Sequence, residues 1–149
     1  MLSVIGLPLI HPPLSSFPVA LISSVVVLEM IGVFKRSKSL DMASSVLVVA
    51  AALGTAAAFF SGYFSFESAS RSFHIPEAEI AFHHNLGRLL LFSVVPWVAL
   101  HFLSRRAGAG WRIAYLMCLA VVFGLTVTTG FYGGRLVFHF GAGVSLSDH

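Results

Sequence analysis

Charge is scarce in this chain. Of its 149 residues only 10% are Asp, Glu, Lys or Arg, against roughly 25% in an ordinary soluble domain. Cysteine is scarcer still. Cys118 stands alone in an apolar run, which excludes a disulfide framework and a cysteine-based metal site. The net charge is only +3, with the basic residues gathered in loops, so there is no basic face for nucleic acid. The chain has no phosphate loop, no HExxH zinc helix and no GxSxG elbow, which removes soluble-type hydrolytic chemistry. The opening "MLSVIGLPLIHPP" lacks a basic n-region, and that argues against a cleaved signal peptide.

What the chain does have is long apolar runs. Hydrophobic residues make up 57%, and the mean hydropathy is +0.91. A helix needs about 20 apolar residues to cross a bilayer. Four windows qualify: Pro13–Phe34, Met42–Phe64, Phe82–Leu103 and Ile113–Phe138. The expected fold is all-α, an integral-membrane four-helix bundle forming one domain over residues 1–149. In the connection Ser65–Ala81, "IPEAE" puts Pro76 at a helix start with Glu77 and Glu79 in its first turn. Pro18 and Pro96 fall inside spans, where a membrane bundle tolerates them.

Orientation follows from the basic loops. Lys35, Arg36 and Lys38 lie between spans 1 and 2; Arg105, Arg106 and Arg112 lie between spans 3 and 4. The positive-inside rule puts both loops in the cytoplasm. Both termini then face the outer side, the periplasm of a bacterial inner membrane, in a multi-pass topology. This sorts the histidines unevenly. His11, His74, His83, His84, His139 and His149 fall on the outer side, and His101 alone on the inner.

His11 precedes span 1, His83 and His84 open span 3, and His139 closes span 4. In a four-helix bundle these ends share a level and can converge. Neutral imidazole suits haem iron or a transition metal. A b-type haem takes two axial donors from opposite ring faces, commonly histidines on two helices. All four histidines are ligand candidates, and the residues do not select a pair. Arg88 lies four residues after His84 and Arg135 four before His139, so each pair shares a helix face. Guanidinium recognises carboxylate in bidentate fashion, so both arginines are candidates for haem propionates. Their alternatives are snorkelling or pairing with Glu67, Glu77 or Glu79.

Small residues recur in span 2 at Ala50, Gly54, Ala58 and Gly62, and in span 4 at Gly124, Thr128, Gly130 and Gly134. Such stripes let helices approach closely. His101 lies 18 positions after His83, about 27 Å along one helix. It reads as an inner-interface histidine beside Arg105 and Arg106, because the other inner ends offer no second histidine. Glu29 sits toward the inner end of span 1. It reads either as a proton-path carboxylate or, preferred, as a snorkelling partner of Lys35 and Arg36.

Two stretches carry a family resemblance. "HPPLSSFPVAL" resembles the opening motif, and "GFYGGRLVFHFGAGV" the ending, of a small bacterial membrane protein family, the domain of unknown function 2231. The single histidine opening that family's third helix is matched by His83 or His84. The resemblance spans nearly the whole chain. It implies four transmembrane helices and a grouping with b-type cytochrome-like proteins. Many members carry a second histidine in the opening motif, where this chain has Ser15 and Ser16. Many place the last histidine where Phe140 stands, one residue after His139, and one residue turns a helical side chain by about 100°.

The function expected from residues and resemblance together is electron transfer. One haem b per chain, near the outer face, would exchange electrons between the quinol pool and a periplasmic c-type cytochrome or dehydrogenase subunit. Quinone is a second candidate ligand. The chain would work in membrane lipid as part of a larger complex or homo-oligomer rather than as a stand-alone enzyme. Two alternatives stand beside it: a non-redox anchor or assembly subunit, and an outer-face copper or zinc protein. A transporter is disfavoured by the absence of an obvious inverted repeat.

Overall fold

The structure, a computed structural model, describes residues 7–35, 37–73 and 75–142. Arg36, His74 and His149 lie outside the described residues. Four helices make up the fold: α1 (Leu7–Phe34), α2 (Lys38–Phe73), α3 (Glu77–Ser104) and α4 (Ala109–Phe140). Each contains a segment long and apolar enough to cross a membrane. No strand occurs among the described residues.

The helices outrun the apolar windows for local reasons. α2 continues through "SFESASRSF" to Phe73, where a connection was expected. That stretch is polar but free of proline and glycine, so nothing interrupts its ladder before Pro76. α3 starts at Glu77 with Pro76 as its N-cap and Glu77 and Glu79 in the first turn. The acidic pair meets the positive end of the helix dipole. The Ser37 hydroxyl accepts the Leu40 N–H at 3.2 Å, capping the start of α2. α4 ends at Gly141, which adopts φ 69°. There the Gly141 and Ala142 N–H groups reach back to the Val137 and Leu136 carbonyls, a turn that glycine makes without a Cβ penalty.

α1 packs on α2 and α4, and α3 packs on the same two helices, so α1 and α3 occupy opposite corners of the bundle. Large side chains such as Phe34, Phe131 and Phe138 point outward, as a lipid-facing surface requires.

The buried face repeats. Pro18, Ile22, Val25 and Glu29 of α1 are buried, and so are the residues 72 positions later in α3: Leu90, Val94, Trp97 and His101. In α2, Ser44, Val48, Ala51 and Thr55 are buried, as are Tyr115, Leu119, Val122 and Thr126, 71 positions later in α4. The α1–α2 hairpin and the α3–α4 hairpin therefore present equivalent faces to one another. They run in the same sense and are related by a pseudo-two-fold axis along the bundle, a parallel rather than an inverted repeat.

Candidate functional site

The repeat brings two of the expected histidines onto its axis. His11 of α1 and His83 of α3 stand 72 residues apart, like the core pairs. Their ring centres are 6.1 Å apart, with ring planes inclined at 69°. Each ring is seated on a glycine of the next helix. A Cβ on Gly62 would lie 2.8 Å from Cε1 of His11, and a Cβ on Gly133 would lie 2.9 Å from Cε1 of His83. These two glycines are themselves 71 positions apart. They are required because the imidazoles occupy the space a methyl group would need.

The second contact is also shared. The Ala58 carbonyl acts on the His11 ring and the Thr129 carbonyl on the His83 ring. Both carbonyls lie one turn before the seating glycine. His11 Nδ1 is 2.9 Å from Ser61 Oγ. His83 Nδ1 is buried with no hydrogen bond of good geometry. A histidine held through Nδ1 by backbone or hydroxyl keeps Nε2 for a ligand.

A cavity of about 690 Å³ opens beside the two rings and takes lining from all four helices. That is within the roughly 300–1,000 Å³ of small-molecule sites. Its walls are apolar side chains, glycines and hydroxyls, and none of the lining residues is Asp, Glu, Lys or Arg. His84 also lines it. The His84 ring lies against Phe59, Tyr63 and Phe66 of α2, with centroids 5.1, 5.8 and 5.9 Å away. His84 thus forms part of an aromatic wall rather than facing His11 across the axis.

The remaining candidates lie elsewhere. His139 is exposed on α4 and does not line the cavity. Arg88 donates to its neighbour Asn85 at 3.0 Å, and Arg135 pairs with Glu79 at 2.9 Å. Neither guanidinium borders the cavity. Among the described residues, no three His, Cys, Asp or Glu side chains assemble as a metal site.

Residues 6–146 match the family described as "Predicted membrane protein (DUF2231)". The chain belongs to this family. It is a multi-pass membrane protein of four apolar helices, as the DUF2231 description implies. No curated protein matches it, and no solved structure does. Within the stretch "GFYGGRL" of the matched region, Gly133 is the residue that seats His83.

The opposite end of the bundle holds a second polar cluster, and it corrects one expectation. Glu29 does not pair with Lys35 or snorkel. It is buried and accepts hydrogen bonds from Ser44 and Tyr115 at 2.8 Å each and from Arg112 at 2.6 Å. Glu29 faces inward on α1, so partners on α2 and α4 outcompete basic residues on its own loop. His101 is fully buried in the bundle and lies beside Arg105, as expected. Its Nε2 accepts from Arg105 at 3.1 Å and contacts Ser45 Oγ at 3.1 Å. Arg105 in turn pairs with Asp41 at 3.3 Å. Glu29 and His101 are again 72 residues apart. The cluster joins all four helices, and it takes up the buried charges that lipid would penalise.

Proposed function

We propose that the protein is a haem b-binding subunit of a bacterial inner-membrane electron-transfer complex, in which His11 and His83 would hold the haem. It would exchange electrons between the quinol pool and a periplasmic redox partner. One observation carries this reading: two imidazoles from opposite corners of the bundle come within 6.1 Å of each other, centre to centre, and both line one apolar cavity. A metal–imidazole bond is about 2 Å, and the ring nitrogen lies about 1 Å from the ring centre. The two ring centres stand 6.1 Å apart, close enough that one metal could take a nitrogen from each.

The donor set also fits. The Thr129 carbonyl lies against the His83 ring as the Ala58 carbonyl does against His11, and a contact of that kind at Nδ1 leaves Nε2 to a ligand. Gly62 and Gly133 leave room for the Cε1 edge of each ring, where a Cβ would intrude. Haem b, when bound, supplies the one-electron chemistry. The chain contributes the two imidazoles, a dry apolar enclosure, and a rigid frame whose far end is tied by Glu29 and Arg112. His84, His139, Arg88 and Arg135 are not required as ligands in this reading.

The test is an optical spectrum of the detergent-purified protein, oxidised and dithionite-reduced, with a pyridine haemochrome assay. About one haem b per chain is expected. Replacing His11 or His83 by Ala abolishes the reduced α-band, while His84→Ala and His139→Ala retain it. A colourless wild-type protein expressed with ample haem would overturn the reading in favour of a non-redox anchor. Retention of full haem in both His11→Ala and His83→Ala would overturn the pair.

A further inference from the structure

We propose that the seam between α1 and α4 is a port facing the bilayer, through which the ring of an isoprenoid quinone reaches the mouth of the cavity. This deepens the electron-transfer reading and rests on it for the quinone's role, though not for its binding.

The cavity touches all four helices, but among the described residues its exposed lining lies on one side. Five of its lining residues are exposed: Ser16, Val19, Ala20, Gly130 and Phe138. All five belong to α1 or α4. Every lining residue on α2 and α3 is buried or half-buried.

The repeat supplies an internal control for this asymmetry. The α2–α3 seam is the pseudo-symmetric counterpart of the α1–α4 seam. At equivalent positions, Phe59 of α2 corresponds to Gly130 of α4, and Tyr63 corresponds to Gly134. Likewise His84 of α3 corresponds to Pro12 of α1. On the α2–α3 side the three rings pack on one another, with His84 5.1 Å from Phe59 and 5.8 Å from Tyr63; Phe59 and His84 fill the seam against the cavity and Tyr63 lies on its exposed side. On the α1–α4 side their places are taken by two glycines and a proline. The same backbone frame is thus plugged on one flank and open on the other.

The chemistry of the mouth selects the occupant. It has no charged lining residue, which disfavours a phosphate headgroup or a fatty-acid carboxylate, since neither charge would find a counter-ion. Ser23 offers a hydroxyl there, and Ser16, whose hydroxyl donates to the Pro13 carbonyl at 2.6 Å, keeps its lone pairs to accept, a pairing suited to a ring bearing carbonyl or hydroxyl groups. Aromatic and glycine surfaces let a flat ring pack closely. An uncharged, ring-headed molecule dissolved in the bilayer meets all three conditions. Its tail runs outward along the lipid-facing sides of α1 and α4.

The experiment uses the full chain in lipid nanodiscs with a photoreactive azido-ubiquinone analogue, and cross-linked peptides are mapped by mass spectrometry. Label is expected within residues 15–23 and 127–138, and it is displaced by unlabelled ubiquinone. Gly130→Phe installs the plug that Phe59 provides opposite; a Cβ at Gly130 meets only Val19, at 3.6 Å. It is expected to cut labelling at least about tenfold. Ser16→Phe narrows the mouth from α1 and gives the same loss if Gly130→Phe does not fold. Phe59→Gly opens the other seam and brings new label to α2 and α3. Label confined to α2–α3, spread evenly, or unchanged by both plugs overturns the port. So does chain-to-chain cross-linking across α1 and α4 that excludes the analogue, because the face then belongs to a second copy. Haem content is measured in parallel. Labelling at α1–α4 in a haem-free protein sinks the haem reading and leaves the port standing.

Discussion

Replacing Gly62 or Gly133 by Ala tests the geometry of the site with a single methyl group. At Gly62 the new Cβ would lie 2.8 Å from His11 Cε1, and at Gly133 2.9 Å from His83 Cε1, where ordinary contact begins at 3.4 Å. Each imidazole must therefore give way by about 0.5 Å, or its helix must move. His11 is also held by Ser61 at 2.9 Å, so the ring cannot retreat without loosening that contact. Overpacking of this kind costs about 1–3 kcal/mol. Alanine in place of glycine inside a helix returns up to about 1 kcal/mol. The net expectation is a loss of roughly 0–2 kcal/mol at each position. Gly124 on the same helix as Gly133 is the control, because a Cβ there meets nothing within 4 Å. Gly124→Ala collects only the helix-propensity gain, so it should lie about 1–3 kcal/mol above the other two variants. The assay is reversible unfolding in mixed dodecylmaltoside and SDS micelles followed by circular dichroism, with haem per chain recorded alongside. Equal stability of all three variants, with equal haem, would refute the claim that the glycines exist to seat the histidines.

The Glu29 cluster gives a larger effect. Glu29→Ala leaves Arg112 unpaired and is expected to cost about 3–5 kcal/mol in the same unfolding assay. Glu29→Gln keeps acceptor and size and should cost less; a neutral Glu29→Ala would mean that the pair is solvated. Arg135 and Glu79 form a partly exposed pair, so Arg135→Ala should change stability by less than about 1 kcal/mol, and a larger loss would give it a role beyond that contact. Orientation is read by membrane-impermeant thiol labelling in a Cys118→Ser background. Glu77→Cys is expected to label from the outer side of intact cells and Lys38→Cys only after permeabilisation; the reverse pattern would invert the topology.

The four spans were legible in the sequence because lipid imposes a long apolar run on every crossing. The start of α3 was legible too, since Pro76 with Glu77 and Glu79 is a local signal that needs no tertiary context. The tail of α2 was not, because its polar composition resembles a connection while its backbone has no breaker. The histidine-rich end was visible, but not the pairing within it. His83 and His84 are adjacent, so only the rotation of α3 decides which of them faces His11 and which meets Phe59. Gly133 escaped notice between Gly130 and Gly134 because it fits no four-residue stripe; its spacing of 71 from Gly62 would have found it. The same spacing reveals the parallel repeat, which a search for inverted symmetry passes over. Glu29 was misjudged because nearby Lys35 and Arg36 in sequence outweighed Arg112, 83 residues away.

Covalent linkage of the two hairpins has a consequence for what the bundle can become. In an assembly of two separate identical hairpins, every axial position would face its own copy. A glutamate at position 29 would then oppose a second glutamate, and both would be buried. A phenylalanine that closed one flank would close the other as well. Joining the hairpins in one chain lifts that restriction. Imidazole is kept at both members of the His11/His83 pair, while Glu29 and His101, or Phe59 and Gly130, are free to differ. The linker through Pro76 thereby does more than connect α2 to α3: it gives the molecule a front and a back.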